Sequence, residues 1–163
     1  MRLEEYIKKL PILFARVLKL ENRTSTFSDY SKVSVGVLPT TTTKLDYSGA
    51  TLIHGSESLF DPVNSRILKM PLNSVGKALV SMTIDSSGGN NWVELTAVAF
   101  NNVGVELFAK TPITIPLVKN LAEDAISQNL SFYFGMGVEY FEIHIKASSG
   151  LPYSNPSITV IKY

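Results

Sequence analysis

The pattern of apolar and polar positions changes near residue 32. Before it, apolar residues recur at helical intervals; after it, they alternate with polar ones at the two-residue period of strands. The stretch 139-EYFEIHIKA-147 alternates throughout. Phe141, Ile143, Ile145 and Ala147 face one way, and Tyr140, Glu142, His144 and Lys146 face the other. The same reading predicts strands at 33-VSVGVL-38, 50–55, 66–70, 78–85, 92–100, 105–111, 130–134 and 157–163. In 33–38, Val33, Val35 and Val37 oppose Ser34, Gly36 and Leu38. The separators YSG, FDPVNS and PLNSVG carry turn chemistry. A further turn, NNVG, joins 92-WVELTAVAF-100 to 105-VELFAKT-111 in a hairpin, with Gly104 free to take positive φ.

Less regular stretches complete the pattern. TTTT at 40–43 is β-branched and predicts an extended loop or edge. The run 113-ITI-115, bracketed by Pro112 and Pro116, is a short edge segment. In 157-SITVIKY-163, Ile158 and Val160 lie on one face and Ile161 and Tyr163 on the other. A strand apolar on both faces belongs in the middle of a sheet or beneath a neighbouring subunit. Only 119-KNLAEDAISQN-129 reads as helical, with Asn120 as N-cap and Glu123 three residues on. Short strands at regular spacing without a βαβ rhythm predict an all-β fold, an antiparallel jelly-roll sandwich of about 8–10 strands.

The first residues form a separate element. Leu3, Ile7, Leu10, Phe14 and Val17 fall at spacings of four, three, four and three, the a and d positions of a coiled-coil seam. About two heptads are present, and Pro11 kinks the rod or starts a second short helix. The apolar stripe serves self-association or packs on its own domain; the spacing permits both. ENRTSTFSDYSK is polar and reads as a connector. The expected organisation is an N-terminal helical arm and linker over 1–31 and a β-sandwich over 32–163.

Composition narrows the class. The apolar fraction is 45% and the charged fraction 18%, a low charge density that points to surface covered by a partner. The longest uninterrupted apolar run is four residues, too short for a membrane-spanning helix. The opening MRLEEYIKKL has two glutamates and no continuous apolar core of the signal-peptide kind. A net charge of +1 argues against nucleic acid as the main partner. With no cysteine, disulfides, thiolate nucleophiles and Cys-type zinc sites are excluded.

Candidate chemistry is sparse. His144 shares a strand face with Tyr140, Glu142 and Lys146, and is read as solvent-facing or interfacial. His54, in LIHGSES, has no second metal ligand at the usual spacing. That stretch also lacks the Gly-x-Ser-x-Gly of a nucleophile elbow. The oxygen-rich 85-DSSGGNN-91 has one carboxylate and reads as a hairpin loop rather than a calcium site. No phosphate-binding glycine loop occurs. Neither catalytic residues, metal ligands nor a cofactor are therefore expected. Two aromatic residues are candidate ligand contacts: Trp92, which opens a strand beside Asn90, Asn91 and Glu94, and Tyr153 in a loop.

The hairpin WVELTAVAFNNVGVELFA, the strand pair in FYFGMGVEYFEIHIKAS and the closing strand SITVIKY resemble the trimeric jelly rolls of the tumour-necrosis-factor and complement-C1q type, which recur in virion spikes and head fibres. The resemblance covers roughly residues 75–163 in strand rhythm and implies a homotrimer that binds a receptor or particle through its loops. Surplus apolar surface points the same way, since monomers seldom expose large contiguous apolar patches. The expected function is a non-enzymatic structural protein: a homotrimeric capsid decoration, head-fibre or spike component, assembled in the host cytoplasm. Its arm, through Leu3, Ile7, Leu10, Phe14 and Val17, would serve assembly or bind a capsid protein. The alternative is a carbohydrate-binding sandwich or adhesin that uses Trp92 and Tyr153.

Overall fold

A computed structural model describes residues 26–55 and 59–163. The predicted helical arm lies outside these residues. Thirteen strands are found among them: β1 (Thr26–Ser31), β2 (Val35–Val37), β3 (Thr43–Lys44), β4 (Thr51–Gly55), β5 (Phe60–Asp61), β6 (Arg66–Leu68), β7 (Ser74–Ile84), β8 (Trp92–Phe100), β9 (Glu106–Ala109), β10 (Ile113–Pro116), β11 (Asp124–Phe134), β12 (Tyr140–Ala147) and β13 (Pro152–Lys162). They form two antiparallel sheets. Sheet A runs β11-β7-β13-β1-β4, with β2 also on β13; sheet B runs β10-β8-β12-β6-β5, with β9 on β8 and β3 on β12. The connections β6–β7, β7–β8, β10–β11, β11–β12 and β12–β13 each pass from one sheet to the other. This is an antiparallel jelly-roll sandwich, as the strand rhythm predicts.

Alternation builds the core between the sheets. In β7, Ala78, Val80, Met82 and Ile84 are buried; in β12, Phe141, Ile143, Ile145 and Ala147 are. Phe141 is the centre of an aromatic cluster, its ring 5.1 Å from Phe134 and 5.4 Å from Phe132. Gly76 on β7 is required by this cluster: a Cβ there would enter the Phe132 ring and lie 2.9 Å from the Ile161 carbonyl oxygen. At the other end, Phe60 packs against both Tyr30 and Tyr47, each with a ring separation of 5.4 Å.

The hairpin β8–β9 forms at NNVG. Gly104 has φ +78°, and Asn101 Oδ1 accepts from the backbone N–H groups of Val103 and Val105 at 3.1 and 2.8 Å. β10 is an edge strand paired only with β8, and β13 is central, held between β7 and the pair β1 and β2.

Two readings are corrected. The predicted helix over 119–129 is not formed; β11 starts at Asp124 and pairs with β7 residue for residue to Phe134. The two-residue alternation of Ile126, Leu130, Phe132 and Phe134, all buried, outweighs the capping signal. Asn120, expected as an N-cap, adopts φ +61° in the preceding turn. Within the polar connector, Thr26–Ser31 is β1, between β13 and β4. Its polar outer positions are accommodated because, over residues 27–31, Ser28 and Tyr30 alone are buried. In VSVGVL the valines face outward: Val33 is 95% and Val35 85% exposed, whereas Leu38 is buried. The Tyr153 ring occupies the space over Gly36, so the sandwich side of β2 is filled by an aromatic from β13 and needs no valine.

Candidate interaction surfaces

The outer face of sheet B carries a polar cluster centred on Glu142. This carboxylate is only 7% exposed, yet its position on β12 opposes Val98 of β8 and it lies beside β3 and β6. Its Oε1 accepts from Arg66 Nε at 3.2 Å and from Lys44 Nζ at 3.4 Å; its Oε2 lies 3.3 Å from His144 Nε2. Two cations offset the cost of burying one carboxylate. The Arg66 guanidinium also lies 4.1 Å above the Tyr140 ring, which stacks on Phe100 at 5.2 Å. His144 is therefore half-buried in an ion-pair network, with Phe100 as its ring neighbour. The polar row of β12 is visible in the sequence. Lys44 and Arg66 are distant from it along the chain and carry no local signal of their role.

His54 lies on the edge strand β4, exposed, 3.7 Å from the Asp29 carboxylate on β1. Among the described residues no group of three His, Cys, Asp or Glu side chains is placed to hold a metal ion.

The two aromatic candidates stand in different sheets. Trp92 opens β8 in sheet B and is half-buried, with Lys146 Nζ 5.7 Å from its ring. Its backbone is held at Ser148, whose Oγ accepts from Trp92 N–H at 3.1 Å and whose N–H donates to the Trp92 carbonyl at 3.0 Å. Tyr153 belongs to β13 in sheet A, not to a loop, and packs on Gly36 against the core. Leu3, Ile7, Leu10, Phe14 and Val17 lie outside the described residues.

Exposed apolar side chains gather in several places, Leu52 and Ile53 on β4 among them. The first is β2, with Val35 and Val37 and the adjoining Val33. The second is β9, where all four strand residues are exposed, Leu107 and Phe108 among them. The third is one end of the outer face of sheet A. There Tyr133, Val75 and Tyr163 form one row across the strands, and Ser131, Lys77, Ile161 and Phe27 form the next. Phe27, Val75, Tyr133 and Tyr163 are all exposed. The middle rows of the face are more polar, and Val35 and Val37 of β2 stand exposed beyond them. The third row is Asn129, Leu79, Thr159 and Asp29, and the fourth is Ser127, Ser81, Ser157 and Ser31.

No protein-family model matches the chain, and no curated protein matches it. Solved structures do match. The chain is similar to the PRD1 vertex protein P5, with a TM-score of 0.54 at 16% identity, over 84% of this chain and 96% of that one. It is also similar to a protein in the structure of the infectious bursal disease virus Gx strain, with a TM-score of 0.52 at 7% identity, over 86% of this chain but 32% of that one. Eiger TNF from S. frugiperda aligns at a TM-score of 0.49 and 9% identity, over 86% and 94% of the two chains. At these identities the likeness is one of fold: the chain has the jelly roll found in virus proteins, and spans nearly the whole of the solved vertex-protein chain.

Proposed function

We propose that this chain is a non-enzymatic structural component of a viral particle, a capsid decoration, head fibre or spike, that acts as a homotrimer. The carrying observation is the likeness in fold to the PRD1 vertex protein P5, over 84% of this chain and 96% of that one, which supports a particle role for this jelly roll. The surface chemistry is consistent with such a role. Apolar side chains stand exposed on β2, on β9 and on one end of sheet A, and a protein exposing several such patches needs partners to cover them. Symmetric association of identical copies covers them without a second gene product. In this reading residues 1–25 link the sandwich to the capsid protein.

Two measurements test the reading. Light scattering on the purified full-length chain reports its mass: a stable trimer at micromolar concentration supports it, and a monomer overturns the homotrimer. An antibody against the sandwich, applied to purified particles from the source material, reports location. Absence of the chain from particles overturns the virion role.

A further inference from the structure

We infer that β11 pairs antiparallel with β11 of a second copy of this chain, joining two A sheets edge to edge about a two-fold axis at Asn129. Such pairing goes beyond the particle role and does not depend on it.

β11 ends sheet A and, among the described strands, pairs with β7 alone. An open strand edge is a template for another chain, and folded proteins blunt such edges by short length, proline, bulges or charge. The other edges here are blunted. β10 has four residues and ends in Pro116, β9 has four, β2 three, and β3 and β5 two each. β4 has five, and its ladder to β1 is interrupted by a register shift between Asp29 and Tyr30. β11 runs for eleven residues without proline, glycine or bulge, and Asp124 at its start is its one charged side chain. The sheet B strand on the same side of the sandwich is β9. Its Phe108 ring lies 6.1 Å from Phe141, which is 5.1 Å from Phe134 at the end of β11. Leu107 and Phe108 stand exposed there, where a copy arriving at the β11 edge would cover them.

The ladders show which peptide groups of β11 face outward. Tyr163 N–H donates to the Val75 carbonyl, and Asp85 N–H, just beyond β7, donates to the Pro152 carbonyl. Odd-numbered residues of β7 therefore turn their peptides towards β13, and even-numbered ones towards β11. β11 meets them with its own even residues, from Asp124 opposite Ile84 to Phe134 opposite Ser74. Ala125, Ser127, Asn129, Ser131 and Tyr133 point N–H and C=O away from the sheet, and their side chains are exposed. Two of these carbonyls have local partners: Gln128 Nε2 donates to Asn129 O at 3.0 Å and Gly135 N–H to Tyr133 O at 3.2 Å. The rest have none among the described residues.

This row matches itself. Asn129 is the middle residue of β11, and setting it opposite its symmetry mate places Ser127 against Ser131 and Ala125 against Tyr133. All five outward residues then face outward residues, and Asp124 falls opposite Phe134, so no like charges meet. An isologous pair closes with two chains, whereas β11 laid on the β4 edge of another copy would leave an open edge at each end.

The chain has no cysteine, so introduced thiols are the only ones present. In the full-length protein Asn129→Cys sets two thiols opposite one another across the axis, with Cα atoms about 5.5 Å apart and within disulfide reach. In Ser127→Cys or Ser131→Cys alone the two thiols lie about 14 Å apart along the strands, out of reach; the double variant brings them together. Each variant is oxidised with copper phenanthroline and resolved on non-reducing gels. Disulfide-linked dimers are expected from Asn129→Cys and from the double variant, and not from either serine variant alone. No dimer from Asn129→Cys in folded protein, or equal dimer from Ser127→Cys, overturns the inference.

Asn129→Pro removes an outward N–H and leaves the β7 ladder intact, and Asn129→Lys sets two like charges face to face. Each is expected to halve the native mass in sedimentation while the circular dichroism of the fold is kept. An unchanged mass in folded protein overturns the inference. Mass also separates this pairing from the homotrimer. Two chains falling to one keeps the pairing and removes the trimer; three chains, unchanged by either substitution, does the reverse; six falling to three keeps both.

Discussion

Arg66 Nε donates to Glu142 Oε1 at 3.2 Å, so a two-sheet sandwich has one of its short strands fastened through a nearly buried carboxylate. Lys44 reaches the same oxygen from β3. Strands of two and three residues have little ladder of their own, and both lie against β12 where Glu142 stands. Glu142→Gln keeps the size of the side chain and strands two cations. It is expected to lower stability by about 2 kcal/mol. Glu139→Gln removes the ion pair to Lys69 at a more exposed site and should cost less than ~1 kcal/mol. Urea unfolding of both variants gives the comparison; equal losses would mean Glu142 has no special bracing role.

Phe141 meets Phe132, Phe134 and Phe108 and is fully buried. Phe141→Ala is expected to destabilise the fold by about 3–5 kcal/mol through lost transfer energy and the cavity left behind. A urea midpoint close to that of the parent would show that the cluster collapses around the gap.

The hydrogen bond from the Lys32 ammonium, at 2.8 Å, holds the Asp46 carboxyl down at about 2, assisted by the Ser48 N–H and hydroxyl. The unfolded chain takes up this proton first as pH falls, near 3.8, so acid favours unfolding. The stabilisation is complete above that value and is lost as pH falls towards about 2. Because the side chain is well exposed, Asp46→Asn should cost less than ~1 kcal/mol at pH 6. Chemical denaturation across this pH range should show the parent and variant converging; a constant difference would contradict the assignment.

Val35 and Val37 stand on β2, a strand at the rim of sheet A with no core contact to lose on that face. Val35→Lys is expected to change unfolding stability by no more than ~0.5 kcal/mol. If this rim joins copies, the same change lowers the apparent mass in sedimentation at rising concentration, since a lysine on an edge strand blocks pairing. Lower stability with unchanged mass would place the valine in the fold and not in an interface.

Periodicity made the sandwich legible wherever one face of a strand is buried along its length. β12 and the β8–β9 hairpin follow directly from 139-EYFEIHIKA-147 and from the Asn101 and Gly104 turn. It misled where local chemistry and long-range pairing disagreed. The stretch 119–129 carries helix-capping residues, but Ile126 and Leu130 are claimed by pairing with β7. The alternation in VSVGVL does not say which side is buried: the valines face water, and a tyrosine from β13 fills the side over Gly36. β1 was hidden in a polar connector, since a strand with few inward positions has a weak pattern. Trp92 and Tyr153 illustrate the remaining limit. Each is identifiable as a lone aromatic, but which sheet each belongs to is decided by strand order, which single-residue chemistry does not encode.

The position of β13 between β1 and β7 also sets a timetable for biosynthesis. As the polypeptide emerges from the ribosome, β1 can pair with β4 early but waits for β13 until about 130 further residues have been translated. Until then the greasy sides of β1 and β7 are open to chaperones or to one another on neighbouring polysomes. Productive folding of the sandwich therefore waits for β13, and expression yield should respond to holdase supply.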